Sequence, residues 1–341
     1  MERLFRPSAR SRQEAEAMPQ HSIHKVEVAP RSAPRTETFW RKMVRQRQLI
    51  IMSFPMVAYV LLFAYGPLWG WLMAFQNFKP MAGATIFEQK WVGLDQFKFL
   101  FMDEGFIRVL RNTIAMSFIS LILGFVTAIG LALLLNEIKK TGFKRLIQTI
   151  SYLPHFLSWV IVTGLVSMAL STEGGIVNIV LVKLHIINEP ILWLGEGKYF
   201  WGIVGMTNVW KEVGWNTIIY LAAIASVDPS LYEAAEVDGA GRYRKIWNIT
   251  LPGIRPIIVI LLIMNVGWIL NGGGFDIQYF LGNGQVLDWS ETIDIFVLKY
   301  GLKLGNYSLG VAAGIFKTVV SIILLYCANL IAKRLGEERL I

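Results

Sequence analysis

Three ionisable residues stand where an apolar chain would be expected to have none. Lys211, Glu212 and Lys317 each interrupt a long hydrophobic stretch. A charge at the centre of a bilayer costs about 3 kcal/mol or more, so such residues mark either a site or a paired contact. They have polar company. Asn208, Lys211, Glu212, Trp215 and Asn216 fall at i, i+3, i+4, i+7 and i+8, one stripe of a helix. Gly310, Gly314, Lys317, Thr318 and Ser321 form a second stripe of small and polar side chains. Asn265 lies at a similar depth, with Trp268 three residues on. Amides and charges at one depth suit a guest rich in hydroxyls, and indole rings such as Trp215 and Trp268 suit the flat face of a ring. The plainer reading is structural. Lys211 then pairs with Glu212 or a neighbouring acid, and small residues at four-residue spacing pack helices.

A second constellation lies between two apolar stretches, over residues 226–255. Asp228 followed by Pro229 is a helix start, an acceptor for free N–H groups and then a residue preset for the first turn. Leu231 to Val237 are mostly good helix formers, and Gly239 and Gly241 permit a sharp turn. Arg242 to Trp247 form a second short helix in this reading, and Pro252 and Pro256 punctuate the return. Such a loop is a compact helical pair with acids on one arm and bases on the other. Taken alone it equally suits a cap on anionic lipid.

The elements that carry these residues follow from composition. The chain has 341 residues, 54% of them hydrophobic and only 17% charged, with a mean hydropathy of +0.49. Soluble domains average about 25% charged. This excludes an ordinary soluble enzyme, and 12 Trp and 20 Phe in so apolar a chain argue against a nucleic-acid binder despite a net charge of +9. One cysteine, Cys327, excludes an internal disulfide framework and a Cys-based zinc site. Six stretches approach bilayer length, roughly 49–75, 112–135, 147–170, 200–225, 257–270 and 307–331. With the N-terminus cytoplasmic, 22 of the 33 Lys and Arg fall on inner segments and 8 on outer ones. The positive-inside rule therefore puts both termini in the cytoplasm, in an inner membrane. Residues 1–40 lack an apolar run and read as a disordered basic tail, not a cleavable signal peptide. His155, beside Pro154, reads as a kink or packing residue.

The loop residues also carry a resemblance. Glu233-Ala234-Ala235, then Gly239, then Ile249-Thr250-Leu251-Pro252 resemble the EAA motif of binding-protein-dependent ABC importer permeases, every fixed position at its spacing. The segments Gly214–Ala222, Gly314–Lys317 and Lys333–Glu337 are similar to the LplB-like branch of carbohydrate permeases. The likeness spans about residues 45–341. It implies an all-α integral membrane fold, the MetI-like, maltose-type permease fold, with six transmembrane helices over 41–341 and a cytoplasmic coupling helix in the loop 226–255. It implies that Glu233 makes the polar contact to an ATPase, that Ala234 and Ala235 keep that helix face slim, and that Gly239 makes the turn. Ile249, Leu251 and Pro252 would anchor the second arm.

The implied partners are a second permease subunit (a different chain in this branch), two ATPase subunits, an extracytoplasmic substrate-binding protein and membrane lipid, with no nucleic acid. This chain would bind no metal or cofactor and do no covalent chemistry. It lacks a P-loop, so ATP and Mg²⁺ belong to the ATPase. The implied cargo is a carbohydrate, an oligosaccharide, along a path of Asn208, Lys211, Glu212, Trp215, Asn216, Asn265, Trp268 and Lys317. Two lysines against one acid leave a slight positive bias, which favours an acidic, uronate-type cargo. The competing reading is an ion-coupled secondary transporter using Lys211 and Glu212. That would need inverted repeats, and no second broken span stands at a matching position.

Overall fold

The computed structural model describes residues 45–80, 85–334 and 336. The expected tail over 1–40 lies outside the described residues. The chain divides into two units, residues 1–66 and 67–341. In the first, α1 (Arg47–Val60) contains Pro55 and runs into a π turn, Leu61–Tyr65. None of its residues is buried. Side chains such as Leu49, Phe54 and Phe63 are exposed, a surface made for hydrocarbon rather than water.

In the second unit, residues 67–75 form 3₁₀ helix, and α2 (Asp95–Met102) leads to α3 (Glu104–Glu137). The Asp103 carboxylate caps α3 by accepting from the Gly105 N–H at 2.8 Å. Then come α4 (Thr141–Tyr152), α5 (Trp159–Ala169), α6 (Ile176–Lys183) and the 29-residue α7 (Gly197–Ala225). The loop helices α8 (Pro229–Val237) and α9 (Arg242–Lys245) precede α10 (Leu251–Gly267). Short helices α11 (Phe275–Leu281), α12 (Leu287–Ser290) and α13 (Ile293–Phe296) lead to the last, α14 (Tyr307–Arg334). The fold class is all-α, as expected. Extended pairing among the described residues is limited to one bridge between Gln76 and Trp91.

Among the described residues four helical stretches are long and apolar enough to cross a membrane: Arg47–Phe75, Glu104–Glu137, Arg242–Gly267 and Tyr307–Arg334. α7 has the length but carries Lys211 and Glu212 midway. The third expected span needs correction. It is not one helix over 147–170 but two, meeting at 105°. Pro154 has no N–H to continue the ladder. Leu157 and Ser158 are extended, and the Ser158 hydroxyl caps α5 by accepting from the Ile161 N–H. The fifth span also differs. The short helix Arg242–Lys245 does not stand apart but runs on through a π turn into α10, and neither Pro252 nor Pro256 ends the run Arg242–Gly267. A π turn, Ile246–Thr250, precedes Pro252, which then sits in the first turn of α10 where a missing N–H disrupts least.

α3 packs along α7 as the most extensive helix pair. Three apolar clusters line the second unit. Phe106, Val109, Ile293, Phe296 and Leu309 form one, and Met116, Phe200, Val204 and Ile277 the next. Ala128, Ala132, Tyr220, Ile224 and Ile254 form the third, nearest the loop. Buried asparagines hold the irregular segments. Asn112 donates to the carbonyls of Asp288 (3.0 Å) and Glu291 (3.1 Å). Asn178 donates to Ser171 and Ile191 and accepts from Ile191 and Trp193. Backbone away from water needs such internal partners.

Candidate functional site

α3, α7, α10 and the turn after α10 line a half-open cavity of about 240 Å³. Its walls include Ser117 and Ser120 from α3, Asn208, Glu212 and Asn216 from α7, and Asn265, Trp268 and Asn271 from the end of the Arg242–Gly267 helix and just beyond it. Five of the eight expected path residues thus meet here: Asn208, Glu212, Asn216, Asn265 and Trp268. The amide N–H groups of Asn208 and Asn265 donate one turn back, to the carbonyls of Val204 (3.1 Å) and Leu261 (2.8 Å). Their own carbonyl oxygens remain as acceptors. The hydroxyls of Ser117 and Ser120 are buried without a partner. Unmatched polar groups around a cavity are suited to a polar guest. The turn is glycine for a reason. Gly273 has φ +82°, and a side chain there would press on Ser120 and Asn208.

Lys211, Trp215 and Lys317 do not line this cavity. Lys211 is buried, 5% exposed. Its ammonium donates to the His155 carbonyl at 2.6 Å, lies 3.3 Å from Glu212 Oε1 and sits over the Trp159 ring at 5.2 Å. Trp215 stacks on His155, centroids 4.4 Å apart and planes 3° apart, so one indole face is covered. Lys317 donates to both oxygens of Asp294, at 2.6 and 2.8 Å. This corrects the expected positive bias: each lysine has its own carboxylate. Asp294 was missed because it lies in a short helix outside the apolar stretches, with no periodic pattern to point it at Lys317. The glycine stripe on α14 packs in part, Gly310 lying against Gly301.

His155 packs at the bend, as expected, and its ring also makes a polar contact. Its Nδ1 lies 2.7 Å from Glu212 Oε2. A carboxylate only accepts, so that nitrogen carries the hydrogen. One signal was available: Ser158 directly before an apolar run reads as a helix start inside the third span.

The loop 226–255 is built locally. Asp228 accepts from the Ser230 N–H at 2.9 Å, which holds its carboxyl below the usual range. Pro229 follows at the first turn. Gly239 ends α8 with φ +72°, its N–H bonding Glu236 and that of Ala240 bonding Ala235. Lys245 pairs with Glu236 at 2.7 Å and lowers that carboxyl too. Tyr232 and Thr250 share a hydroxyl contact at 3.0 Å. Leu251 packs on the Ala223–Ile224 cluster, and Ile249 is partly buried whereas Pro252 is exposed. Glu233 and Ala234 are exposed, Ala235 and Gly239 flank them, and Val237, Tyr243 and Trp247 are 89, 83 and 69% exposed. Large apolar groups held out on a rigid, capped loop mark a contact surface.

Comparison with known proteins places these features in a family. Residues 120–337 match the family described as binding-protein-dependent transport system inner membrane component. The chain is 42% identical to protein LplB of Bacillus subtilis, over 87% of its own length and 92% of that protein's. It is 43% identical to the polygalacturonan/rhamnogalacturonan transport system permease protein YteP of the same organism, over 87 and 91%. A chain in the crystal structure of a bacterial ABC transporter involved in the import of the acidic polysaccharide alginate aligns with a TM-score of 0.80 at 38% identity, covering 87% of this chain and 99% of that one. In the bacterial alginate ABC transporter in complex with an alginate pentasaccharide-bound periplasmic protein, the values are 0.82, 37%, 89% and 100%. The match takes in the loop, α7, α10 and half of α3, and on it the chain belongs to the inner membrane components of binding-protein-dependent transport systems.

Proposed function

We propose that the chain is one transmembrane subunit of an ATP-driven ABC importer for oligosaccharides, acidic ones included. The observation that carries this reading is a cavity of serine hydroxyls, asparagine amides and the exposed ring of Trp268, joined by one helix, Arg242–Gly267, to a protruding loop. Hydroxyl-rich rings need such donors, acceptors and flat faces. Asn208, Glu212, Asn216, Asn265 and Trp268 line the path. Lys211 supports Glu212 directly, Trp215 does so through His155, and Lys317 pairs with Asp294 instead.

The acidic preference rests on relatives named for alginate and for polygalacturonan and rhamnogalacturonan, not on free lysines. The distribution of Lys and Arg puts both termini and the loop 226–255 on the cytoplasmic side. There Glu233, Ala234 and Ala235 face an ATPase subunit that holds ATP and Mg²⁺, since this chain has no P-loop. A second permease chain completes the pore, and an extracytoplasmic binding protein delivers the cargo. Reconstitution with those partners tests the reading. ATP-dependent uptake of a labelled oligouronide or its neutral counterpart is expected, and uptake of neither would overturn it.

A further inference from the structure

Among the described residues lining the cavity, Glu212 is the one that carries a charge. A carboxylate accepts in about four directions. One is taken by His155 Nδ1 at 2.7 Å, and the Lys211 ammonium forms an ion pair with the other oxygen at 3.3 Å. Both donors are fixed from behind the cavity wall. Lys211 is buried beneath Trp159, and the His155 ring lies flat on Trp215. Both also depend on the broken third span. The break leaves the His155 carbonyl without a helical N–H, and Lys211 supplies the missing donor at 2.6 Å.

We infer that His155 and Lys211 are positioning residues, which hold the Glu212 carboxylate as a fixed acceptor for sugar hydroxyls. This rests on the transport reading above and adds a statement about the cargo. A sugar meets this wall with its hydroxyl edge, and the carboxylate of a uronate unit points elsewhere, because two carboxylates in contact repel. Charge-assisted hydrogen bonds away from bulk water are the strong ones, so an acceptor held in place by two donors selects by geometry. Acidic and neutral oligosaccharides are then gripped alike at this point.

Two substitutions separate the hydrogen bond from the packing. H155F keeps a ring on Trp215 and removes the donor; H155N keeps a donor near Nδ1 and removes the stack. The assembled transporter, with both permease chains and the ATPases, is held in lipid nanodiscs, and equilibrium binding of labelled acidic and neutral pentasaccharides is measured. H155F is expected to weaken both by about tenfold, the cost of losing one charge-assisted bond, and H155N to recover most of that loss. E212Q is expected to weaken both pentasaccharides equally. Wild-type binding by H155F, or binding by H155N as weak as that of H155F, overturns the positioning role. Tighter binding of the acidic pentasaccharide alone by E212Q also overturns the inference, because its carboxylate would then lie against this wall. Should H155F not assemble, the E212Q comparison decides. If wild-type transporter neither binds nor imports any oligosaccharide, the transport reading itself fails.

Discussion

The loop 226–255 and the broken third span solve opposite problems. The loop stands out from the bundle and owes its shape to near neighbours. Asp228 caps it, Gly239 turns it, and Lys245 reaches Glu236 nine residues away. The break at Leu157–Ser158 is held from far along the chain. Its partners Lys211, Glu212 and Trp215 lie more than 50 residues on. A contact surface must keep its form while exposed, so local bonds build it. A cavity wall must bring unlike groups together at depth, so distant bonds build that. The two regions are therefore expected to fail differently when perturbed.

The largest effect is expected at the loop tip and should be purely functional. Glu233→Arg is expected to reduce ATP-driven uptake to background while leaving thermal unfolding of the solubilised chain unchanged. A lowered unfolding temperature would break the contrast, because it would make Glu233 part of the fold. The reverse pattern is expected at depth. Lys317→Met strands Asp294 and is expected to cost about 3 kcal/mol of stability, read as a shift in thermal unfolding. Replacing both residues with leucine should recover most of that loss.

Gly214→Ala tests the break directly. A methyl group there would collide with the Ser151 carbonyl, and a loss of about 1–3 kcal/mol is expected. No loss would mean that the bend does not rest on α7. Asp228→Ala is expected to cost about 1 kcal/mol, confined to faster amide exchange over Pro229–Val237.

The smallest effect is on pH. The carboxyls of Asp228 and Glu236 are both lowered in the fold. The stability they add is present at neutral pH, above the ordinary carboxylate range, and fades as pH falls through that range and below it. Exchange over α8 should quicken there, and exchange over α7 should not.

The same contrast decides what the sequence disclosed. The loop was legible down to its cap and turn, since a local structure carries its own signals in Asp228-Pro229 and Gly239. The α7 stripe was legible too, because helical periodicity places Asn208, Glu212 and Asn216 on one face. The partners of Lys211 and Lys317 were not. His155 and Asp294 reach them across the bundle, and no spacing along a chain encodes a contact between helices of unknown packing. The continuity of Arg242–Gly267 was hidden for another reason. Pro252 and Pro256 read as stops, but a widened turn precedes Pro252 and Pro256 is carried inside α10.

That continuity has a mechanical meaning. Tyr243, out in the loop, and Asn265, in the cavity wall, stand on one shaft, 22 residues or about 33 Å apart. The π turn Ile246–Thr250 and Pro256 are the two places on that shaft where a helix bends most readily. A tilt of about 5° around one end swings the other by about 3 Å, roughly the length of a hydrogen bond. Where the shaft holds straight, a tilt at the tip would therefore reach Asn265 on the scale of a single contact.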